Sequence, residues 1–261
     1  MDVAAASEWV GQHLVLGVLV LTRLGMVMMA LPSVGGGVPR RIRALLALTA
    51  TAVLLPTVAA LPNSTDLPPI DSVIDLGVAI AREAAVGMFI GGTAQVLMAG
   101  LQLGGEFISG TGGMQLGDAI DPSTGANMPV IARLVGFLVT AIMLATGGHR
   151  LVLGLLLDSF QLLPPADVEI GATTIAMVVD QMGAAMVAGV RLAAPVVATL
   201  LLTNLITGLI SRTLPQINVL AIGLSINAFA MLIVLAITIG SAGLLFQEEL
   251  ARAVASVRGM W

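Results

Sequence analysis

Residues 189–223 read GVRLAAPVVATLLLTNLITGLISRTLPQINVLAIG. The stretch opens inside an apolar run, 173–210, which as a helix rising about 1.5 Å per residue measures roughly 57 Å. A bilayer's hydrocarbon core is only about 30 Å thick. Asp180 and Arg191 fall in the first half of that run, and Pro195 follows them. SRTLPQIN then interrupts, and a second apolar run covers 217–245. Lipid-facing charge at depth is expensive, so the charged half is expected to pack on protein or to reach beyond the bilayer. Two long helices around one polar turn set the class of the chain.

Composition agrees. Of 261 residues, 57% are hydrophobic and 10% charged, with a net charge of −4. Soluble domains carry about 25% charged residues, so the chain is expected to be an all-α polytopic membrane protein. Cysteine is absent, which excludes disulfides, thiolate metal sites and thiol catalysis together. No arginine-rich patch suggests nucleic acid. The start, MDVAAASEW, is acidic where a secretory signal needs basic residues, so the first apolar run is expected to be a retained helix.

Six main apolar runs are predicted as helices: 10–31, 42–61, 73–103, 130–147, 173–210 and 217–245. A shorter apolar piece covers 151–163. Pro, Gly and Asp/Asn clusters separate them. No charged linker divides the chain, so a single domain is expected. Arg40, Arg41 and Arg43 flank the first connection and Arg212 lies in the last, whereas Asp66, Asp71 and Asp75 mark the second. The positive-inside rule then places the first, third and fifth connections in the cytoplasm, with both termini outside. Arg150, Arg252 and Arg258 count against that orientation.

Candidate chemistry is thin. Glu106, Asp118 and Asp121 lie in GGEFISGTGGMQLGDAIDPSTGANMP, residues 104–129, but lack the alternating ligands and closing Glu of a calcium loop. His13 and His149 have no ligand cluster around them, and no nucleophile–base pair or phosphate loop occurs. The expectation is a chain that is not an enzyme and holds no cofactor or metal. Glu83 follows Arg82 and precedes Gly87 and Gly91; that GxxxG spacing, repeated at Gly100 and Gly104, favours helix packing. Thr203, Asn204 and Thr207, with Asn227 on the next run, suggest interhelical hydrogen bonds. In SRTLPQIN, Arg212 and Pro215 suit a helix end. Gln216 and Asn218 exceed what a stop requires, and both a solvated tip and a recognised turn fit them.

The 189–223 block resembles the most characteristic block of the FliR family of flagellar export-gate proteins, relatives of the T component of virulence secretion systems. PSVGGGVPRRIRALLALTATAVLLP is similar to the family's first connection, and REAAVGMFIGG to its third helix. Asp121-Pro122 fits the Asp-Pro after the central loop, and GGHRLVLGLLLDSFQLLP the segment beyond it. The resemblance covers nearly the whole chain.

The resemblance implies a subunit of a helical hetero-oligomeric export gate in the bacterial inner membrane, at the flagellar basal body. A P-like part, 1–172, would precede a Q-like helical hairpin and tail, 173–261. Partners would be FliP-, FliQ- and FlhB-type subunits, membrane lipid, and unfolded flagellar subunits in transit. The central loop 104–129 would plug the pore, with Glu106, Gly110, Gly112, Gly113, Met114, Leu116, Asp118, Ile120, Asp121 and Pro122 as gating residues. Arg212, Pro215, Gln216 and Asn218 would meet the FlhB-type partner. Glu83, Gly87, Gly91 and Asn204 would pack helices. A virulence injectisome component is the nearest alternative. A small-solute transporter is a further one, although the helix interruptions here do not pair as inverted repeats do.

Overall fold

The computed structural model describes residues 3–31, 38–61, 72–113, 129–163, 165, 172–214, 216 and 218–259. Every regular element among them is an α-helix: α1 Val3–Ala30, α2 Arg40–Ala59, α3 Val73–Gly112, α4 Val130–Ala145, α5 Gly148–Leu162, α6 Ala172–Thr213 and α7 Val219–Arg258. Arg40–Ala59, Thr174–Thr213 and Ile222–Arg258 are each long and apolar enough to cross a membrane. The short pair α4 and α5 adds a fourth candidate if counted as one span. The protein is an all-α membrane protein.

Local sequence explains the boundaries. Pro39 and Pro129 occupy the N-cap positions of α2 and α4, where a missing N–H loses no helical bond. Ser72 starts α3 with a reciprocal cap: its Oγ accepts the Asp75 N–H at 3.1 Å, while Asp75 Oδ2 accepts the Ser72 N–H at 3.1 Å. Gly147, at φ 78°, supplies the left-handed residue between α4 and α5. The shorter apolar piece at 151–163 is a helix of its own, so the six expected runs and this piece correspond to seven helices among the described residues.

Two elements outrun their apolar runs. The last run, 217–245, continues through Gln247, Glu248 and Glu249 to Arg258, because Phe246, Leu250, Val254 and Val257 keep one buried face going. The third, 73–103, continues to Gly112. This corrects the reading of 104–129 as loop from its first residue: Gly104 to Gly112 is helical.

The helices form two compact units, each discontinuous in sequence. The first contains residues 1–95, 147–178 and 251–261. Here α1 packs along α2, with Leu19 and Ala79 in a small core that Val15 and Ile80 flank. Gly87 and Gly91 of α3 lie against the α1 backbone. A Cβ at Gly87 would overlap the Arg23 carbonyl, and one at Gly91 would press Val27 and Ala30.

The second unit contains residues 96–146 and 179–250. Its core joins Ile108 of α3, Ile131 of α4, Ala193, Val196 and Leu200 of α6, and Met231 and Leu235 of α7. Gly100 and Gly104 meet Ala185 and Gly189 of α6 backbone to backbone, and a Cβ at any of the three glycines would strike a facing carbonyl. Gly105 is equally close to Ala132 of α4, whose Cα lies 2.7 Å from an added Cβ. The glycines that make 104–112 look like loop are therefore what lets α3 lie against α4 and α6.

Candidate functional site

Within the first unit, Arg23 and Glu83 are fully buried. Arg23 Nε donates to Glu83 Oε2 at 2.6 Å, and Nη2 to Oε1 at 2.9 Å, giving a two-pronged ion pair. The remaining guanidinium hydrogens face the C-terminal end of α5. Nη1 donates to Ser159 O at 3.0 Å, to Ser159 Oγ at 3.1 Å and to Leu163 O at 3.2 Å, and Nη2 to Leu163 O at 3.3 Å. The cation also lies 4.4 Å from the Phe160 ring centroid. Charge, helix-end dipole and aromatic face all favour it there. Glu83 thus pairs with a residue 60 positions away, and the neighbouring Arg82 is exposed. Adjacent helical residues point about 100° apart, so they do not face one another.

Within the second unit, the end of α3 is held from the side by two asparagines. The last four carbonyls of a helix lack helical donors. Gly113, left-handed at φ 73°, returns its N–H to Gly110 O at 3.4 Å. Asn204 of α6 donates Nδ2 to Thr111 O at 3.1 Å. Asn227 of α7 donates Nδ2 to Gly112 O at 3.4 Å and to Asn204 Oδ1 at 2.7 Å. Three consecutive carbonyls are thereby satisfied, two of them by side chains of the α6–α7 hairpin. Leaving a buried carbonyl such as that of Gly112 unpaired costs about 1–3 kcal/mol. Thr207, Gly208, Gly223 and Leu224 line a cleft of about 400 Å³ beside this clamp.

The expected site residues divide accordingly. Gly110, Gly112 and Gly113 lie at the clamp with Asn204, and Glu106 lies two turns earlier on the same helix, half-buried. Met114, Leu116, Asp118, Ile120, Asp121 and Pro122 fall outside the described residues, as does Pro215. Arg212, Gln216 and Asn218 are exposed around the turn, where the Asn218 carbonyl accepts the Ile222 N–H at 3.2 Å. Gly87 and Gly91 sit at the α1 contact described above. The sequence reading missed Arg23, Ser159 and Phe160. A lone arginine midway through the first apolar run was the available signal.

Comparisons with known proteins place this architecture. Residues 14–253 match the model of bacterial export proteins, family 1. The flagellar biosynthetic protein FliR of Caulobacter vibrioides is 27% identical over 233 residues, which cover 88% of this chain and 91% of that protein. FliR of Bacillus subtilis is 34% identical over 159 residues, 59% of this chain; the match spans 61% of the length of the Bacillus protein. The surface presentation of antigens protein SpaR of Salmonella typhimurium is 28% identical over 186 residues, 70% of this chain and 69% of its own. The family match runs from α1 to α7, through both the Arg23 knot and the asparagine clamp, and the chain belongs to the FliR family of bacterial export proteins.

Proposed function

We propose that this chain is a structural and gating subunit of a type III protein-export channel in the bacterial inner membrane. It assembles there with P- and Q-type subunits around a pore for unfolded flagellar proteins and carries out no catalysis itself. The observation that carries the gating role is the asparagine clamp. It fastens the end of α3, from which the 114–122 stretch departs, to the α6–α7 hairpin through Asn204 and Asn227. A stretch rooted on a fixed point can close a pore reproducibly, and we assign the plug to Met114–Pro122, with Glu106 to Gly113 as its helical root. The exposed turn bearing Arg212, Gln216 and Asn218 suits contact with an FlhB-type partner on the cytoplasmic side. The SpaR relative favours a second reading, the equivalent subunit of a virulence injectisome, which is the same role with different cargo.

Co-expression with P- and Q-type subunits of the same organism tests the reading. The expected result is one detergent-stable complex containing all three. Purification of this chain alone, with those subunits well expressed, overturns it.

A further inference from the structure

Arg191 and Arg212 bracket the part of α6 that carries no charge. Leu192 to Ser211 contains no acid or base, and these residues rise about 30 Å, the thickness of a hydrocarbon core. Arg191 therefore stands where that core gives way to lipid headgroups. It is exposed and makes no hydrogen bond or ion pair among the described residues. The acids that follow on α7, Glu248 and Glu249, have other partners.

Beside Arg191 a cleft of about 250 Å³ opens between α6 and α7, lined by Leu192, Pro195, Thr238, Ser241, Ala242 and Leu245. Pro195 has no N–H, so the helical bond that would end on the Arg191 carbonyl is missing. Thr238 Oγ1 donates to Val234 O at 2.9 Å, and Ser241 Oγ to Thr238 O at 2.7 Å. Both hydroxyl protons are thus committed within α7, and their oxygens remain as acceptors. The cleft offers a cation, several acceptor oxygens and apolar walls. A lone arginine at a membrane surface can satisfy itself by reaching to water. One that borders a cleft of acceptors and aliphatic side chains suits a ligand with an anionic group, hydroxyl donors and a hydrocarbon part.

We infer that the Arg191 cleft binds an anionic phospholipid with a hydroxylated headgroup. The phosphate pairs with the Arg191 guanidinium, whose planar fork matches it. The headgroup hydroxyls donate to the acceptor oxygens of the cleft. The acyl chains follow the charge-free span of α6, where Leu201, Leu202 and Leu205 are exposed. A choline headgroup fits less well, because it brings its own cation and no hydroxyl. Inorganic phosphate leaves the apolar walls uncovered. The inference needs only the membrane span of α6, not the assembly proposed above, so the two can fail separately.

The test uses the full chain in detergent, titrated with phosphatidylglycerol, phosphatidylcholine or inorganic phosphate, with bound lipid counted by native mass spectrometry. Phosphatidylglycerol should bind about tenfold more tightly than phosphatidylcholine, as one charge-assisted contact provides. R191Q should abolish that preference, whereas R191K keeps a point charge that binds phosphate and should retain most of it. S241F fills the exposed side of the cleft without touching the charge and should abolish the preference too. Unchanged elution and phosphatidylcholine binding show that both variants are folded. Equal binding of the two lipids by the wild type, or full preference in either R191Q or S241F, overturns the inference. Displacement of the lipid by inorganic phosphate overturns it in favour of a free-anion site. In the complex with P- and Q-type subunits, absence of any lipid whose retention depends on Arg191 assigns that arginine to a neighbouring subunit and overturns the lipid site as well.

Discussion

Removal of the Glu83 carboxylate should be the most damaging single change in the first unit. In Glu83→Ala the Arg23 guanidinium stays buried among α1, α3 and α5, but its two shortest hydrogen bonds, at 2.6 and 2.9 Å, are gone. Breaking a buried pair from one side costs about 3–5 kcal/mol, because a charge is left without its counter-ion. Glu83→Gln keeps an acceptor and the shape but loses the charge, for about 2 kcal/mol. Arg23→Met with Glu83→Leu removes both charges and should recover more than half of the single-mutant loss. Thermal unfolding of the detergent-solubilised chain, followed by loss of the monodisperse species, reads these as an order of 10 °C for Glu83→Ala and about half that for Glu83→Gln. Strict additivity of Arg23→Met and Glu83→Leu, or a Glu83→Ala melt within 1–2 °C of wild type, would refute the argument that the pair is coupled and its site closed.

Other perturbations separate the structural devices. Asn227→Ala removes the donor to the Gly112 carbonyl and to Asn204 Oδ1 and should destabilise locally by about 1–3 kcal/mol; faster hydrogen exchange confined to residues around 108–113 is the readout. Gly189→Val forces a side chain into the Gly100 carbonyl and should abolish the folded species, whereas Gly183→Ala, which meets nothing within 4 Å, should be neutral or stabilise by up to about 1 kcal/mol. Asp158→Asn breaks the half-exposed pair with Arg258 and should shift stability by under about 1 kcal/mol, in contrast with Glu83→Gln. Deletion of residues 114–118 should leave complex yield unchanged while making cells expressing the complex permeable to small ions; unaltered permeability removes the plug assignment.

Much of the helix order was legible because long apolar runs stand out between Pro, Gly and Asp/Asn clusters, and six such runs were visible. The end of α3 was not. Glycine costs about 1 kcal/mol relative to alanine inside a helix, so Gly104, Gly105 and Gly110 read as a break. The local penalty is offset by close contacts with Gly189 and Ala132, which no local pattern displays. The end of α7 was hidden similarly, since Glu248 and Glu249 mask a buried face that only spacing reveals. At the site, Asn204 and Asn227 were readable as polar residues that need partners in an apolar setting. Their acceptors, the Thr111 and Gly112 carbonyls, were not, because backbone groups leave no compositional mark. Arg23 shows the same limit: its charge was visible, but its acceptors lie 60 to 140 residues away.

That separation has a consequence for how the protein is made. Translation proceeds at about 5–20 residues per second, so α1 exists for roughly 3–12 s before Glu83 is synthesised. Ser159 and Leu163 arrive later still. Through that interval a guanidinium stands midway along α1 with none of these acceptors yet made. Such a helix gains little by dispersing into lipid alone and more by waiting in the aqueous shelter of the insertion machinery. The chain should therefore leave that shelter as a group of helices, released once α5 supplies the last acceptors, rather than helix by helix.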